Sequence, residues 1–203
     1  MKIKLLTITL TAFAAGALAV SAAPKVGAPA PDFSLTDSKG QTHSLGSFKG
    51  KYVVLEWFNP GCPFVQKHYK SENMQELQKK FTGKEVAWLT IDSSAPGTQG
   101  YLTPEEANKQ MAEWKMQPTA LLLDAEGKVG HAYGATNTPH MYVIDPHGKL
   151  IYSGAIDNRP TYDPDDVKGA TNYVAAALDE AMAGKPVSTP TSRAYGCSIK
   201  YAQ

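Results

Sequence analysis

One short segment limits the folds open to this chain more than any other feature. Residues 52–58 are almost all apolar, with Glu56 as their single charged side chain, which is the pattern of a strand buried on both faces of a sheet. Residues 59–61 are Asn-Pro-Gly and end that strand. Cys62 and Pro63 follow at the start of a predicted helix, where a proline needs no backbone N–H. The segment therefore predicts a buried strand that passes directly into a helix, with a thiol at the junction.

Strands and helices alternate along the rest of the chain. Apolar runs and short alternating segments predict the strands, and capping patterns or helical periodicity predict the helices. These elements are buried strands at 86–91 and 119–123, hairpins at 33–45 and 141–152, helices that begin with capping boxes at Asn73 and Thr103, and a last helix that ends at Gly184. This order predicts an α/β fold, with helices on both faces of a central sheet and a hairpin at the N-terminus.

The first residues have the pattern of a targeting segment. Lys2 and Lys4 precede an apolar run over residues 5–20, and small residues follow at 21–23. The run is shorter than the ~20 residues that a membrane span needs. The pattern therefore predicts a secretory signal peptide at residues 1–22, with an uncleaved anchor as the alternative.

The predicted cleavage also sets the domain organisation and the location. Residues 23–185 are expected to form one domain, and residues 186–203 a tail that carries Cys197. A cleaved and exported chain is periplasmic or secreted, without a stable membrane anchor, and a pair of thiols can stay oxidised there.

Charge and cysteine content narrow the classes of function. The 203 residues carry 20 basic and 19 acidic side chains, so the net charge is +1. This balance does not indicate the basic surface that a nucleic acid partner needs. Two cysteines cannot build a disulfide scaffold or a four-thiolate zinc site, but they can form one disulfide.

Cys62 is the candidate nucleophile. A thiol at a helix N-terminus faces the positive end of the helix dipole, which favours the thiolate, and the rigid strand before it is expected to leave the sulfur reachable. The alternative is an inert, packed cysteine. Glu56 precedes it among apolar neighbours, where burial raises the pKa of a carboxyl group. We expect Glu56 to be a proton acceptor beneath Cys62; the alternative is a carboxylate that points outward at a sheet edge.

Several motifs resemble those of one protein superfamily. Residues 57–65, Trp-Phe-Asn-Pro-Gly-Cys-Pro-Phe-Val, together with Thr138 and Pro139 downstream, resemble the thioredoxin superfamily. Further motifs resemble its alkyl-hydroperoxide-reductase/thiol-specific-antioxidant (AhpC/TSA, or redoxin) and TlpA-like branch, at residues 31–40, 48–51 and 121–152. The resemblance covers residues 26–183 and implies a thioredoxin-like fold with a central mixed sheet.

The departures from the family pattern bear on the chemistry. Val65 stands where thioredoxins have the second cysteine of Cys-x-x-Cys, so Cys197 is the only internal thiol that can resolve an oxidised Cys62. A Cys62–Cys197 disulfide is one expectation, and a packed or intermolecular Cys197 is the other. Asn59 and Leu55 stand where peroxiredoxins have Thr or Ser and Pro. This weakens a peroxidase assignment, although the Asn59 amide can donate a hydrogen bond to a peroxide.

The resemblance also implies a substrate site. It implies a cis peptide bond before Pro139, beside Cys62, where the exposed backbone of Thr138 pairs with a bound peptide or mixed disulfide. Asn59 and Pro60, directly before the thiol, complete the predicted substrate-binding residues.

These features favour an exported thiol–disulfide oxidoreductase with Cys62 as nucleophile, Cys197 as resolving thiol and Glu56 assisting. Its expected partners are disulfide-containing proteins or small thiol or peroxide substrates, together with an external reductant; no cofactor and no metal is expected. One alternative is a peroxiredoxin-like thiol peroxidase or antioxidant. Another is a copper-binding module that uses Cys62, His68 and Cys197. The last is a non-catalytic domain with a structural disulfide.

Overall fold

The structure, a computed structural model, describes residues 23–202. The predicted signal peptide at residues 1–22 lies outside the described residues, as does Gln203. Between residues 23 and 202, no helix is long and apolar enough to cross a membrane.

A seven-stranded sheet forms the centre of the molecule. From one edge to the other its strands are β2 (Thr42–Ser44), β1 (Ser34–Asp37), β5 (Ala120–Leu123), β4 (Ala87–Asp92), β3 (Val53–Trp57), β7 (His140–Ile144) and β8 (Leu150–Gly154). The neighbours β3, β4 and β5 run parallel, and the other pairs are antiparallel. The sheet is therefore mixed, and the first two strands of the chain, β1 and β2, form a hairpin. Both features confirm the prediction.

Helices cover both faces of this sheet. They are α1 (Pro63–Lys70), α2 (Asn73–Thr82), α3 (Pro104–Glu113), α4 (Lys128–Tyr133) and α5 (Tyr173–Met182), with short 3-10 helices at Leu45–Phe48 and Pro164–Val167. Successive side chains of β3 point to opposite faces. Val54 and Phe58 pack in an apolar cluster with α1, α2 and α5, whereas Val53 and Leu55 pack in a second cluster with α4. The predicted α/β class, with helices on both faces, is confirmed.

The two predicted capping boxes have different outcomes. At Thr103 the hydroxyl accepts a hydrogen bond from the Glu106 N–H and the Glu106 carboxylate accepts one from the Thr103 N–H, so α3 begins as predicted. At Asn73 the prediction is wrong, because α2 begins after Glu72, whose φ is 61°, and no side chain caps it. The Asn73 amide instead donates to Nδ1 of His68 in α1 at 3.0 Å. This contact is possible because only two residues separate the end of α1 from the start of α2.

The tail after α5 returns across the domain. Two backbone hydrogen bonds join it to Ser153 of β8. Its short strand β9 (Cys197–Ser198) then pairs antiparallel with β6 (Asn137–Thr138). Beyond β9, the Lys200 carbonyl accepts a hydrogen bond from the N–H of Ala95, in the loop after β4, at 2.7 Å. The tail thus lies at the edge of the sheet where the parallel strands end, which is also where Cys62 lies.

Candidate active site

Cys62 lies at the junction of β3 and α1, in the N-cap position of the helix, as predicted. Its side chain makes no capping hydrogen bond, and its Sγ instead donates to the Thr138 carbonyl at 3.0 Å. The expectation of a reachable sulfur is wrong for this conformation, because Cys62 is fully buried. The tail strand β9 lies beside it, and no local pattern in the sequence shows where that strand docks.

The peptide bond between Thr138 and Pro139 is cis, as the resemblance implied. Thr138 is buried in β6, and its partner in the pairing register is Cys197. The expectation of an exposed Thr138 backbone is therefore wrong in this conformation. An extended tail offers the same N–H and C=O groups as a peptide substrate, and it occupies the pairing position itself.

The structure brings Cys197 to Cys62. Both cysteines are free thiols. Burial raises the pKa of the Cys197 thiol to about 12, and the hydrogen bond with Cys62 and the charge of Cys62 raise it too, while Lys200 lowers it. Cys62 at the start of α1 and Cys197 in the tail thus meet beside the Thr138 carbonyl.

Gly196 allows the tail to approach this closely. Its φ is 129°, which L side chains rarely adopt, and a Cβ at this position would overlap the Thr138 carbonyl oxygen. The Gly196 carbonyl accepts a hydrogen bond from the Asn137 side chain at 2.9 Å. Gly196 was not among the predicted site residues, although its place directly before Cys197 is visible in the sequence.

Glu56 is buried, so the alternative of an outward-facing side chain is wrong. Its carboxylate accepts hydrogen bonds from four side chains: Tyr69 at 2.8 Å, Trp88 at 2.8 Å, Thr90 at 3.0 Å and Gln78 at 3.2 Å. Burial raises the pKa of Glu56, and these hydrogen bonds oppose the rise. Within residues 23–202, Cys62 is not a hydrogen-bond partner of Glu56. No contact therefore supports a direct proton transfer between these two side chains.

Asn59 and Pro60 lie in the loop before Cys62, and both make hydrogen bonds to other residues. The Asn59 side chain accepts from the Gly61 N–H at 2.8 Å and donates to the Gln99 carbonyl at 3.1 Å. The Pro60 carbonyl accepts from the Gln66 side chain at 2.9 Å. The Asn59 amide, which we expected to be able to serve a peroxide, is therefore already used.

Both ring nitrogens of His68 are engaged with residues other than the two cysteines. Its ring nitrogens bond to Asn73 at 3.0 Å and to the Tyr195 hydroxyl at 3.2 Å. Among the described residues, no group of three or more His, Cys, Asp and Glu side chains is arranged to hold a metal ion. The structure does not bring Cys62, Cys197 and His68 together as the copper-binding alternative requires.

Three polar residues near the site were not predicted. Lys67 and Asp157 are buried together, with Lys67 Nζ 3.5 Å from an Asp157 carboxylate oxygen. The Tyr195 hydroxyl donates to the other Asp157 oxygen at 2.5 Å. Their meeting joins α1, the segment after β8 and the tail, so no local sequence pattern could have shown it.

Comparison with known proteins places this geometry in a family. The model of the AhpC/TSA family matches residues 26–153. The chain belongs to the AhpC/TSA family. A thiol-disulfide oxidoreductase ResA from Bacillus thuringiensis is 28% identical over 127 residues, which are 63% of this chain and 68% of that protein. A chloroplastic peroxiredoxin Q from Sedum lineare is 30% identical over 140 residues, with 63% of this chain and 68% of that protein covered.

Solved structures show the same fold. A hypothetical protein from Sinorhizobium meliloti superposes with a TM-score of 0.77 at 27% identity, covering 90% of this chain and 97% of that one. The thioredoxin domain of a Bacteroides vulgatus thiol-disulfide oxidoreductase has a TM-score of 0.53 at 24% identity, covering 72% of this chain and 97% of that domain. The expected thioredoxin-like fold and the expected class of thiol-dependent oxidoreductase are confirmed.

Proposed function

We propose that the chain is an exported thiol–disulfide oxidoreductase in which Cys62 and Cys197 alternate between a dithiol and an intramolecular disulfide. The observation that carries this proposal is the convergence of the two thiols beside Thr138, produced by the β6–β9 pairing. A thiol pair that reacts in turn has to be held together, and a backbone pairing does this without a Cys-x-x-Cys motif.

In the first step, the Cys62 thiolate attacks one sulfur of a substrate disulfide. A mixed disulfide between Cys62 and the substrate forms, the substrate S–S bond breaks, and the leaving thiolate takes up the proton that Cys62 gave up. Cys62 suits this step because it lies at the N-terminus of α1, where free N–H groups and the helix dipole favour an anion.

In the second step, Cys197 attacks the Cys62 sulfur. The Cys62–Cys197 disulfide forms, the second substrate thiol leaves with the Cys197 proton, and the substrate has been reduced by two electrons. While Cys62 is free, its hydrogen bond and its charge help to raise the pKa of Cys197. An external thiol reductant then restores the dithiol by the reverse exchange.

Substrate and location follow from the residues around the pair and from the leader sequence. Thr138 and Pro139 border the Cys62 sulfur, and the Thr138 backbone becomes available to a peptide when β9 leaves it. Asn59 and Pro60 lie in the loop directly before Cys62, where the Asn59 carbonyl accepts a hydrogen bond from the Cys62 N–H at 3.0 Å. Export rests on the sequence of residues 1–22, and an extracytoplasmic protein lacking those residues is the expected product.

A thiol peroxidase is the second candidate, favoured by the AhpC/TSA family and by the similarity to peroxiredoxin Q. Cys62 would attack a peroxide oxygen, giving a sulfenic acid and an alcohol or water, and Cys197 would then form the disulfide with loss of water. It ranks second because the Asn59 amide already donates to the Gln99 backbone carbonyl at 3.1 Å and to the Gln99 side-chain oxygen at 3.4 Å, which occupies its two N–H groups.

A single-turnover reaction tests both steps. Reduced protein is mixed with one equivalent of dithiobis(nitrobenzoate), a small aromatic disulfide that releases coloured thionitrobenzoate. We expect the wild type to release two thionitrobenzoates in two phases and to contain a Cys62–Cys197 disulfide in a non-reducing peptide map. Cys197→Ser should release one and keep the other on Cys62, because no thiol resolves the adduct.

The controls separate the candidate functions. Cys62→Ser should release thionitrobenzoate slowly, because Cys197 alone is a poor nucleophile. A wild-type protein that stops at the Cys62 adduct would contradict the role of Cys197. One equivalent of hydrogen peroxide in a parallel reaction compares substrates: loss of both thiols faster than with the disulfide would put the peroxidase first.

A further inference from the structure

Four polar residues join the tail to the helix that carries Cys62. Lys67 and His68 of α1 and Asp157 after β8 are buried. The Tyr195 hydroxyl lies among them: it donates to Asp157 at 2.5 Å and lies 3.2 Å from His68 Nε2. Lys67 Nζ also donates to the Arg159 carbonyl at 2.6 Å, which holds the ammonium beside Asp157. We call Lys67, His68, Asp157 and Tyr195 the tail latch.

The donors and acceptors of the tail latch follow from its neighbours. The Asn73 side-chain nitrogen can only donate, so His68 Nδ1 accepts and His68 Nε2 donates to the Tyr195 hydroxyl. Burial lowers the pKa of His68 to about 4, so its ring is neutral at neutral pH. Burial raises the pKa of Tyr195 well above its usual range, so the hydroxyl keeps the proton that it donates to Asp157. Lys67 and Asp157 also bond to each other and to Arg159, whereas His68 Nε2 has its partner, the Tyr195 hydroxyl, only when the tail is docked.

The tail latch lies next to the thiol pair. Tyr195 precedes Cys197 by two residues, with the closely packed Gly196 between them. Its ring packs against Phe64, in the first turn of α1, with centroids 5.8 Å apart. The hydroxyl therefore fixes the tail to the same helix whose N-cap is Cys62.

We propose that Tyr195 is a positioning residue whose hydroxyl, held by Asp157 and His68, keeps Cys197 against Cys62 and keeps β9 on Thr138. This inference rests on the proposed function of the thiol pair. The docked tail has opposite consequences for the two steps. It raises the effective concentration of Cys197 at Cys62 and so speeds the second step. It also covers Cys62 and occupies the Thr138 backbone, and so slows the first step.

Tyr195→Phe tests this inference, because it removes the hydroxyl and leaves the ring on Phe64. In the single-turnover reaction we expect a faster first phase and a second phase slowed about tenfold, equal to about 1.4 kcal/mol. That is the size expected for losing one hydrogen bond to a charged group. The matched control is Tyr162→Phe, since Tyr162 packs on the same Phe64 ring at 6.1 Å but is 68% exposed. Both of its phases should equal those of the wild type.

Asp157→Asn keeps the side-chain size and removes the charge. Like Tyr195→Phe, it should speed the first phase and slow the second. Unchanged phases in Tyr195→Phe would overturn the inference. So would equal slowing of both phases with a lower free energy of unfolding, because that indicates a general structural role.

A wild type that releases only one thionitrobenzoate would defeat the proposed function instead. Amide hydrogen exchange of residues 195–199 then tests whether the Tyr195 hydroxyl anchors the tail. Faster exchange in Tyr195→Phe supports this anchoring, and unchanged exchange contradicts it.

Discussion

Glu56 is a carboxylate taken out of water and surrounded by hydrogen-bond donors. Removing a carboxylate from water costs several kcal/mol unless hydrogen bonds replace its hydration, as they do here. The donors come from α1, α2 and β4, so one side chain on β3 fastens two helices and a neighbouring strand. We infer that Glu56 positions α1 beneath Cys62 through Tyr69.

Two substitutions at Glu56 separate the need for an acceptor from the need for a charge. Glu56→Leu leaves the Tyr69, Trp88 and Thr90 donors without their acceptor, while Gln78 keeps the Tyr69 hydroxyl as an acceptor at 3.1 Å. It should lower the free energy of unfolding by about 3 kcal/mol or more. Glu56→Gln keeps one acceptor oxygen and should cost about 1 kcal/mol. Urea unfolding measures both. Equal losses would show that the charge itself is required.

The same variants test the role in proton transfer that the sequence suggested for Glu56. Because Cys62 is not one of its hydrogen-bond partners within residues 23–202, we expect Glu56→Gln to alkylate at Cys62 with the wild-type pH profile. A shifted profile would show that the carboxylate acts on the thiol. The burial of Glu56 could be predicted from its apolar neighbours, but its donors could not, since they come from three other elements.

Among the elements, the strand β9 decides whether Cys62 is covered. It is two residues long and is placed by the pairing of Cys197 with Thr138. Such a short strand has little pairing of its own, so its docking depends on the fit of the segments before and after it. Gly196 is the tightest point of that fit.

Gly196→Ala should therefore undock β9. The added Cβ would meet the Thr138 carbonyl, in a backbone region that alanine rarely adopts. We expect iodoacetamide to alkylate Cys62 at least about tenfold faster, the change that about 1.4 kcal/mol of lost docking free energy gives. Mass spectrometry of tryptic peptides distinguishes Cys62 from Cys197.

Gly184→Ala is the matched control for that variant. Gly184 also has a positive φ, 72°, but a Cβ there meets no atom within 4 Å among the described residues. It carries the conformational cost of alanine without the overlap, so Cys62 should stay protected. Rapid alkylation in Gly184→Ala, or continued protection in Gly196→Ala, would contradict the account of β9.

Elements formed by neighbouring residues are the ones that the sequence predicts well. The β1–β2 hairpin, the junction of β3 with α1 and the capping box at Thr103 depend on residues close together in the chain. The β6–β9 pairing joins residues far apart, and neither strand is long enough to show an alternating pattern. The position of Cys62 at the junction of β3 and α1 could therefore be predicted from local residues, and the cis Thr138–Pro139 bond was implied by the family resemblance, but the cover over Cys62 was not predicted.

In the whole molecule, the candidate active site is assembled from three distant parts of the chain. The start of α1 supplies Cys62, the segment before β7 supplies Thr138, and the tail supplies Cys197. A titratable side chain, His140, lies two residues after Thr138 at this end of the domain. Burial lowers the pKa of His140, in the same turn as Thr138, to about 4.

The buried His140 links the stability of the whole molecule to pH. Its ordinary pKa is 6.5, so between that value and about 4 the unfolded chain binds a proton that the folded protein excludes. The free energy of unfolding therefore falls as the pH falls through this window. From about pH 7.5 to about pH 5, this histidine alone should remove about 2 kcal/mol. Urea unfolding of His140→Gln should show a loss smaller by that amount.

His147→Gln is the control, since His147 lies exposed in the turn after β7 and should leave the wild-type pH dependence unchanged. Burial raises the pKa of Asp92 to about 6, which has the opposite effect on stability. Both variants keep Asp92, so its contribution cancels when each is compared with the wild type. If His140→Gln loses as much stability on acidification as the wild type does, His140 already takes up its proton in the folded protein. The turn at Thr138 would then be open to water, and the tail would not seal this end of the domain.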